Sequence, residues 1–153
     1  MRPHQNLQVW RESIQLVSEL YLITAQFPSS EKFGIISQIR RAAVSIPANI
    51  SEGAGRHSKK EFHNFLSIAM GSLSELDTLL LISKSIGYIE ADCFIKISIM
   101  LENVSRLLHG LLKKIKQEIF PQWLFTVHCL PFTATKCFRI ASAAFSRSVS
   151  TVS

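Results

Sequence analysis

The chain has 153 residues, nearly half of them hydrophobic, and a formal net charge of +6. That length is enough for one sizeable core and is most simply one domain. No apolar run approaches the roughly 18 residues that a bilayer crossing needs, and the start Met1-Arg2-Pro3-His4-Gln5-Asn6 has no apolar segment to act as a leader, so the expectation is a cytoplasmic protein away from membranes. The charge is uneven. Residues 1–120 carry 14 Lys/Arg against 11 Asp/Glu, while residues 121–153 carry three Lys/Arg and no acid. A basic excess permits phosphate contact without establishing it, and ordinary surface charge explains so small an excess equally well. Cys93, Cys129 and Cys137 are widely spaced and form no metal-binding pair, so they read as reduced thiols.

Helix one is predicted from Leu7 to Gln26, its apolar stripe being Trp10, Ile14, Val17, Tyr21 and Thr24, with Leu7, Leu20 and Phe27 beside them. Pro28-Ser29-Ser30 stops it. Helix two follows from Phe33 or Gly34 to Ser51, with Ile36, Ile39, Ala43, Ile46 and Ile50 on one face. Pro47 falls within that face. It removes a backbone donor and costs about 3 kcal/mol in a helix interior, so a kink is expected. Arg41, Ser45, Ala48 and Glu52 form the opposite, exposed stripe, with Arg40 at the edge of the core face. Gly53 and Gly55 are expected to end this helix in left-handed cap geometry. Ser58 and Glu61 have the spacing of a capping box that opens the next one.

Helix three has the clearest seam: Phe62, Leu66, Ala69, Leu73, Leu76, Leu80 and Ser83, widened by Phe65, Leu79 and Ile86. Gly71 in its middle implies a closely approaching neighbour, and Gly87 caps it. Helix four spans Glu90 to Glu118 on Phe94, Ile97, Leu101, Val104, Leu108, Leu111 and Ile115, with Cys93 in its first turns. Its terminal Lys113, Lys114 and Lys116 suit the helix dipole. Four amphipathic helices with short links pack as an all-α, antiparallel up-down-up-down four-helix bundle over residues 1–120. Residues 121–153 lose the periodicity, and the last 21 hold eight Ser/Thr. They read as a C-terminal tail, poorly ordered or loosely packed.

Val9-Trp10, Gln38-Ile39-Arg40-Arg41-Ala42, Ser45-Ile46-Pro47, Asn49-Ile50 and Glu52-Gly53 resemble the four helix bundle protein family, also called the 23S rRNA intervening sequence protein family. Gly55-Arg56, Ser58-Lys59-Lys60-Glu61-Phe62, Ala69, Gly71-Ser72-Leu73, Glu75-Leu76, Leu80 and Gly87-Tyr88 continue the likeness in order through residues 7–116. Ser51, Ala54 and Asp77 depart mildly from the family pattern, and the tail from Pro121 has no counterpart in it. The resemblance implies an antiparallel bundle that assembles as a ring-like homo-oligomer, typically a pentamer, encoded within bacterial 23S rRNA genes or standing alone. A related group resembles the accessory proteins of diversity-generating retroelements, which bind nucleic acid and a reverse transcriptase through a basic surface. The family has no established catalytic residues, and none carries over.

Arg40, Arg41, Arg56, Lys59 and Lys60 are therefore the candidate nucleic-acid-binding residues, with rRNA, another structured nucleic acid or a reverse transcriptase-type enzyme as partner. The last three surround the start of helix three, where free N–H groups favour an anion, and a ring would repeat the cluster into a multivalent surface. The alternative is a purely structural interaction module in which Arg40 or Arg41 pairs with Glu52 or Glu75. Pro47, Asn49, Glu52 and Gly53 form the structural motif at the kink, Asn49 and Glu52 satisfying backbone groups. Arg56 with His57 and His63 loosely resembles the Arg-(four to six residues)-His motif of HEPN ribonucleases, but surface histidines are the plainer reading. His57 and Glu61, four apart, are spaced to pair on the helix surface. Gly53-Ala54-Gly55 lacks the strand and lysine-serine of a phosphate loop. No catalytic residue, metal site or cofactor is expected.

Overall fold

The computed structural model describes residues 2–120, and the reading of residues 121–153 as a tail lies outside them. Among the described residues there are four α-helices and no strand: α1 Gln8–Thr24, α2 Ile35–Ala54, α3 Lys59–Ser85 and α4 Ala91–Ile119. Short 3-10 turns at Pro3–Asn6 and Ser29–Phe33 precede α1 and α2. Each helix packs against the one before it, and α1 packs against α4, closing an up-down-up-down bundle.

The seams of α3 and α4 fold as their spacing dictates. Leu66, Ala69, Leu73, Leu76, Leu80 and Ser83 are buried on α3, and Ile97, Leu101, Val104, Leu108 and Ile115 on α4. Ile36, Ile39, Ala43, Ile46 and Ile50 are buried on α2. Their packing against one another is the main stabilising term, at roughly 1.5–3 kcal/mol for each large side chain taken out of water.

α1 is phased differently from expectation. Its buried line is Val9, Ser13, Leu16, Leu20 and Thr24, while Ile14 and Tyr21 are exposed. Thr24 and Leu20 are buried as expected, and the hydroxyl of Ser13 hides the rest of the true stripe. Ser13 donates to the Trp10 carbonyl at 2.7 Å and Thr24 to the Leu20 carbonyl at 2.7 Å. A hydroxyl so satisfied costs little in a core.

The glycines also redistribute. α2 runs on through Pro47 and Gly53 to Ala54, and Gly55 stays right-handed at φ −84°. Gly53 is buried, and a Cβ there would lie 2.7 Å from Phe65 Cβ and 2.8 Å from Phe62 Cδ2, so only glycine fits without a shift. Gly71, expected against a neighbour, is exposed, and a Cβ added there would meet nothing within 4 Å. Gly87 does take the left-handed cap, at φ 82°. Its N–H bonds the Lys84 carbonyl at 3.0 Å and the Tyr88 N–H bonds the Ser83 carbonyl at 2.9 Å, a paired closure of the last turn of α3.

Among the described residues α3 is the one helix long and apolar enough to cross a membrane by length and composition. Its seam accounts for part of that apolarity. The remainder is a second line on the side toward α2, where Ile68, Ile82 and Ile86 are exposed and Leu79 is half-buried. Ile86 therefore does not widen the core as its position suggested.

Candidate nucleic-acid interface

The α2–α3 junction is built by close packing beneath a charged surface. With only hydrogen at Gly53, the first turns of α3 can lay Phe62 and Phe65 against the end of α2. α2 then unwinds through Gly55, whose N–H reaches the Glu52 carbonyl at 3.1 Å, and Arg56, whose N–H reaches the Gly53 carbonyl at 3.1 Å. Ser58 is extended and stands at the N-cap of α3, but its side chain makes no capping bond, so the expected box with Glu61 does not form. The first-turn N–H groups of α3 thus keep their unfilled donor capacity at the surface.

Around this helix start stand three of the five candidate cations. Arg56 pairs with Glu52 one turn earlier and lays its guanidinium over the Phe65 ring, 5.1 Å from the centroid. Lys59 reaches across to Glu118 near the end of α4, at 2.9 Å. Its ammonium hydrogen bond, helped by the nearby charge of Lys114, holds the Glu118 carboxyl below the usual carboxylate range. Lys60 is exposed and has no ion pair among the described residues. A cleft of about 200 Å³ opens here, lined by Pro3, Leu7, Gly53, Arg56, Lys59 and Phe62. Solvent-screened pairs of this kind are weak, so an incoming phosphate can take either cation from its carboxylate.

Arg40 and Arg41 are not brought to this cluster. They lie about 22 Å back along α2 at the ordinary rise per residue. Arg40 is half-buried: its Nε donates to Thr24 Oγ1 at 2.9 Å, and its guanidinium sits 4.5 Å from the Tyr21 ring centroid. It ties α2 to α1. Arg41 is 74% exposed and faces Glu75 of α3 at 3.5 Å. The anticipated pairing with Glu75 is thus present, whereas Glu52 takes Arg56.

Asn49 donates to the Ser45 carbonyl at 2.8 Å and to Ser45 Oγ at 3.0 Å, satisfying backbone near Pro47 as expected. Glu52 serves Arg56 instead of the backbone. His57 is exposed and His63 half-buried, and His57 makes no ion pair with Glu61. Among the described residues no group of three or more His, Cys, Asp or Glu is placed to hold a metal ion.

The family model for the 23S rRNA-intervening sequence protein matches residues 5–110. The chain belongs to that family. The 23S rRNA-intervening sequence match runs from the turn before α1 into the last third of α4 and takes in the whole α2–α3 junction. A solved crystal structure of a protein of unknown function, from the S23 ribosomal protein family of Bacteroides thetaiotaomicron, is similar at 25% identity with a TM-score of 0.64. The likeness covers 69% of this chain and 95% of that one. No curated protein matches the chain.

Sequence reasoning missed Thr24 as the anchor of Arg40, and Glu118 as the partner of Lys59. A buried threonine at a helix end is the one signal that could have pointed to the first. The second joins residues 59 positions apart and has no local signature.

Proposed function

We propose that this member of the 23S rRNA-intervening sequence protein family is a non-enzymatic, oligomeric scaffold that binds structured RNA, or a nucleic-acid enzyme, through cations at the start of α3. The observation that carries this reading is the gathering of Arg56, Lys59 and Lys60 around open N–H donors at one helix terminus. The family's name associates it with rRNA genes, which makes an rRNA stem the first probe. A homo-oligomer, with a ring-like pentamer as its expected form, is supported by the exposed isoleucines Ile68, Ile82 and Ile86 on one side of α3. Such side chains are what a subunit contact buries. Location in the cytoplasm is part of this proposal.

RNA binding by the chain across a salt series tests it, using an rRNA stem and an unrelated RNA. A steep linear loss of log affinity with log salt supports several phosphate contacts, and preference for the stem adds shape recognition. Arg56→Glu with Lys59→Glu should abolish binding while the oligomer persists.

A second reading has its own observation. Arg40 bound to Thr24 and Arg41 facing Glu75 are arginines occupied by the fold, as a purely structural interaction module would have them. Loss of the oligomer in the Arg56 and Lys59 double variant favours that reading. RNA cleavage abolished by His63→Ala would instead favour a ribonuclease.

A further inference from the structure

The antiparallel order brings three distant segments to one end of the bundle. The Lys59–Glu118 pair joins the start of α3 to the end of α4, and Pro3 and Leu7 from the chain's start line the cleft beside Arg56. In residues 2–9, 52–64 and 110–120, which make up this end, seven Lys/Arg stand against three acids. The rest of residues 2–120 carries seven Lys/Arg against eight acids. The excess charge of the described chain is therefore concentrated at one end.

Resting on the nucleic-acid reading above, we propose that this whole end is a docking face for double-stranded nucleic acid, in which Arg2 and the α4 residues Lys113, Lys114 and Lys116 act with Arg56, Lys59 and Lys60. All seven are exposed. The lysines of α4 thus have a role besides complementing their helix dipole. The surface suits a duplex because of what it lacks in stacking. Single-strand grooves combine positive charge with aromatic platforms for the bases. Here Trp10, Phe62 and Phe65 are half-buried, Trp10 holding His4 at a centroid distance of 5.1 Å and Phe65 lying under Arg56. Among the described residues of this end the exposed rings are Phe120 and the imidazole of His57, too few to make a platform for successive bases. What remains is cations on long stems, which read backbone phosphates, and a duplex presents those at about one charge per 1.7 Å.

The full chain should be titrated with a blunt duplex RNA and with one of its strands, chosen to be unstructured, over a salt series. The duplex should bind more tightly. Lys113→Glu with Lys114→Glu should lower the slope of log affinity on log salt by about 2 and weaken duplex binding about tenfold or more. Lys84→Glu with Lys96→Glu makes the same charge change at the other end and should leave the slope in place. Helical content of both variants, read by circular dichroism, should match the parent. Duplex binding with an unchanged slope in the Lys113 and Lys114 variant overturns the extension to α4 while leaving the Arg56 cluster standing. Tighter binding of the single strand overturns the duplex assignment. No binding of either RNA removes both this inference and the RNA-binding reading it rests on, and capture of phosphatidylserine vesicles in that case would make the face a membrane one.

Discussion

The two ends of the bundle solve the same problem, turning the chain between antiparallel helices, by different physics. At the α3–α4 end the turn is made by backbone conformation. Gly87 takes φ 82°, its neighbours close the last turn of α3, and Tyr88 tilts against Phe27 at 5.4 Å between ring centroids. At the α2–α3 end the turn stays right-handed, and space rather than conformation is limiting: Gly53 admits Phe62 and Phe65. One glycine is needed for its φ, the other for its missing Cβ. Only the second kind of turn presents a compact, cation-rich helix start, because two aromatic rings beneath it hold α3 close to α2.

Three substitutions sharpen that contrast, beginning with the largest effect. Gly53→Ala should destabilise the fold by about 1–3 kcal/mol through overpacking against Phe65, despite the better helix propensity of alanine. Gly71→Ala, in open space on the same bundle, should instead stabilise by about 0.5–1 kcal/mol. Denaturant unfolding of the pair checks both, and equal shifts of one sign would show that packing at Gly53 is not the cause. Gly87→Ala should cost about 1–2 kcal/mol by forcing a side chain into left-handed geometry. If glycine at 87 served only flexibility, its loss would be neutral or stabilising in the same assay.

The smallest effect is electrostatic. Lys59→Met should return the Glu118 carboxyl toward its ordinary range, seen as a higher midpoint for its side-chain carbon in an NMR pH titration. The folded-state value is lowered, so the pair's small contribution to stability is present above the unfolded carboxylate range. It is lost as pH falls through the folded value. A midpoint unmoved by the substitution would mean that Lys59 does not hold that carboxylate.

Much of the bundle is legible along the chain. The seams of α3 and α4 are visible because their apolar residues alternate by three and four without interruption, and core burial follows that period whatever the partners are. The phase of α1 is obscured because Ser13 looks polar when read singly, while Ile14 and Tyr21 look like core residues; Thr24 lies on both the expected and the observed line. Ser13 becomes a core residue once its hydroxyl bonds the preceding turn. Gly53 and Gly55 look like helix terminators because a local rule assigns glycine to caps, and the requirement for space at Gly53 arises from residues nine and twelve positions later. The candidate site is half legible. Arg56, Lys59 and Lys60 are neighbours in sequence and in space, whereas Arg40 and Arg41 share their charge but not their location.

By itself the sequence determined the number of helices, the core faces of α2, α3 and α4, the cap at Gly87 and the family, all of which depend on short-range period and on the local order of residues. Tertiary structure alone decided that Ser13 enters the core beside the foreseen Thr24 and Ser83, which glycine is a spacer, and that the α4 lysines share an end with Arg56, Lys59 and Lys60. Those properties depend on side chains from different helices meeting at one level of the bundle, and no spacing along the chain encodes that meeting. The concentration of positive charge at the end where α1 begins, α2 meets α3 and α4 finishes is therefore a property of the antiparallel packing.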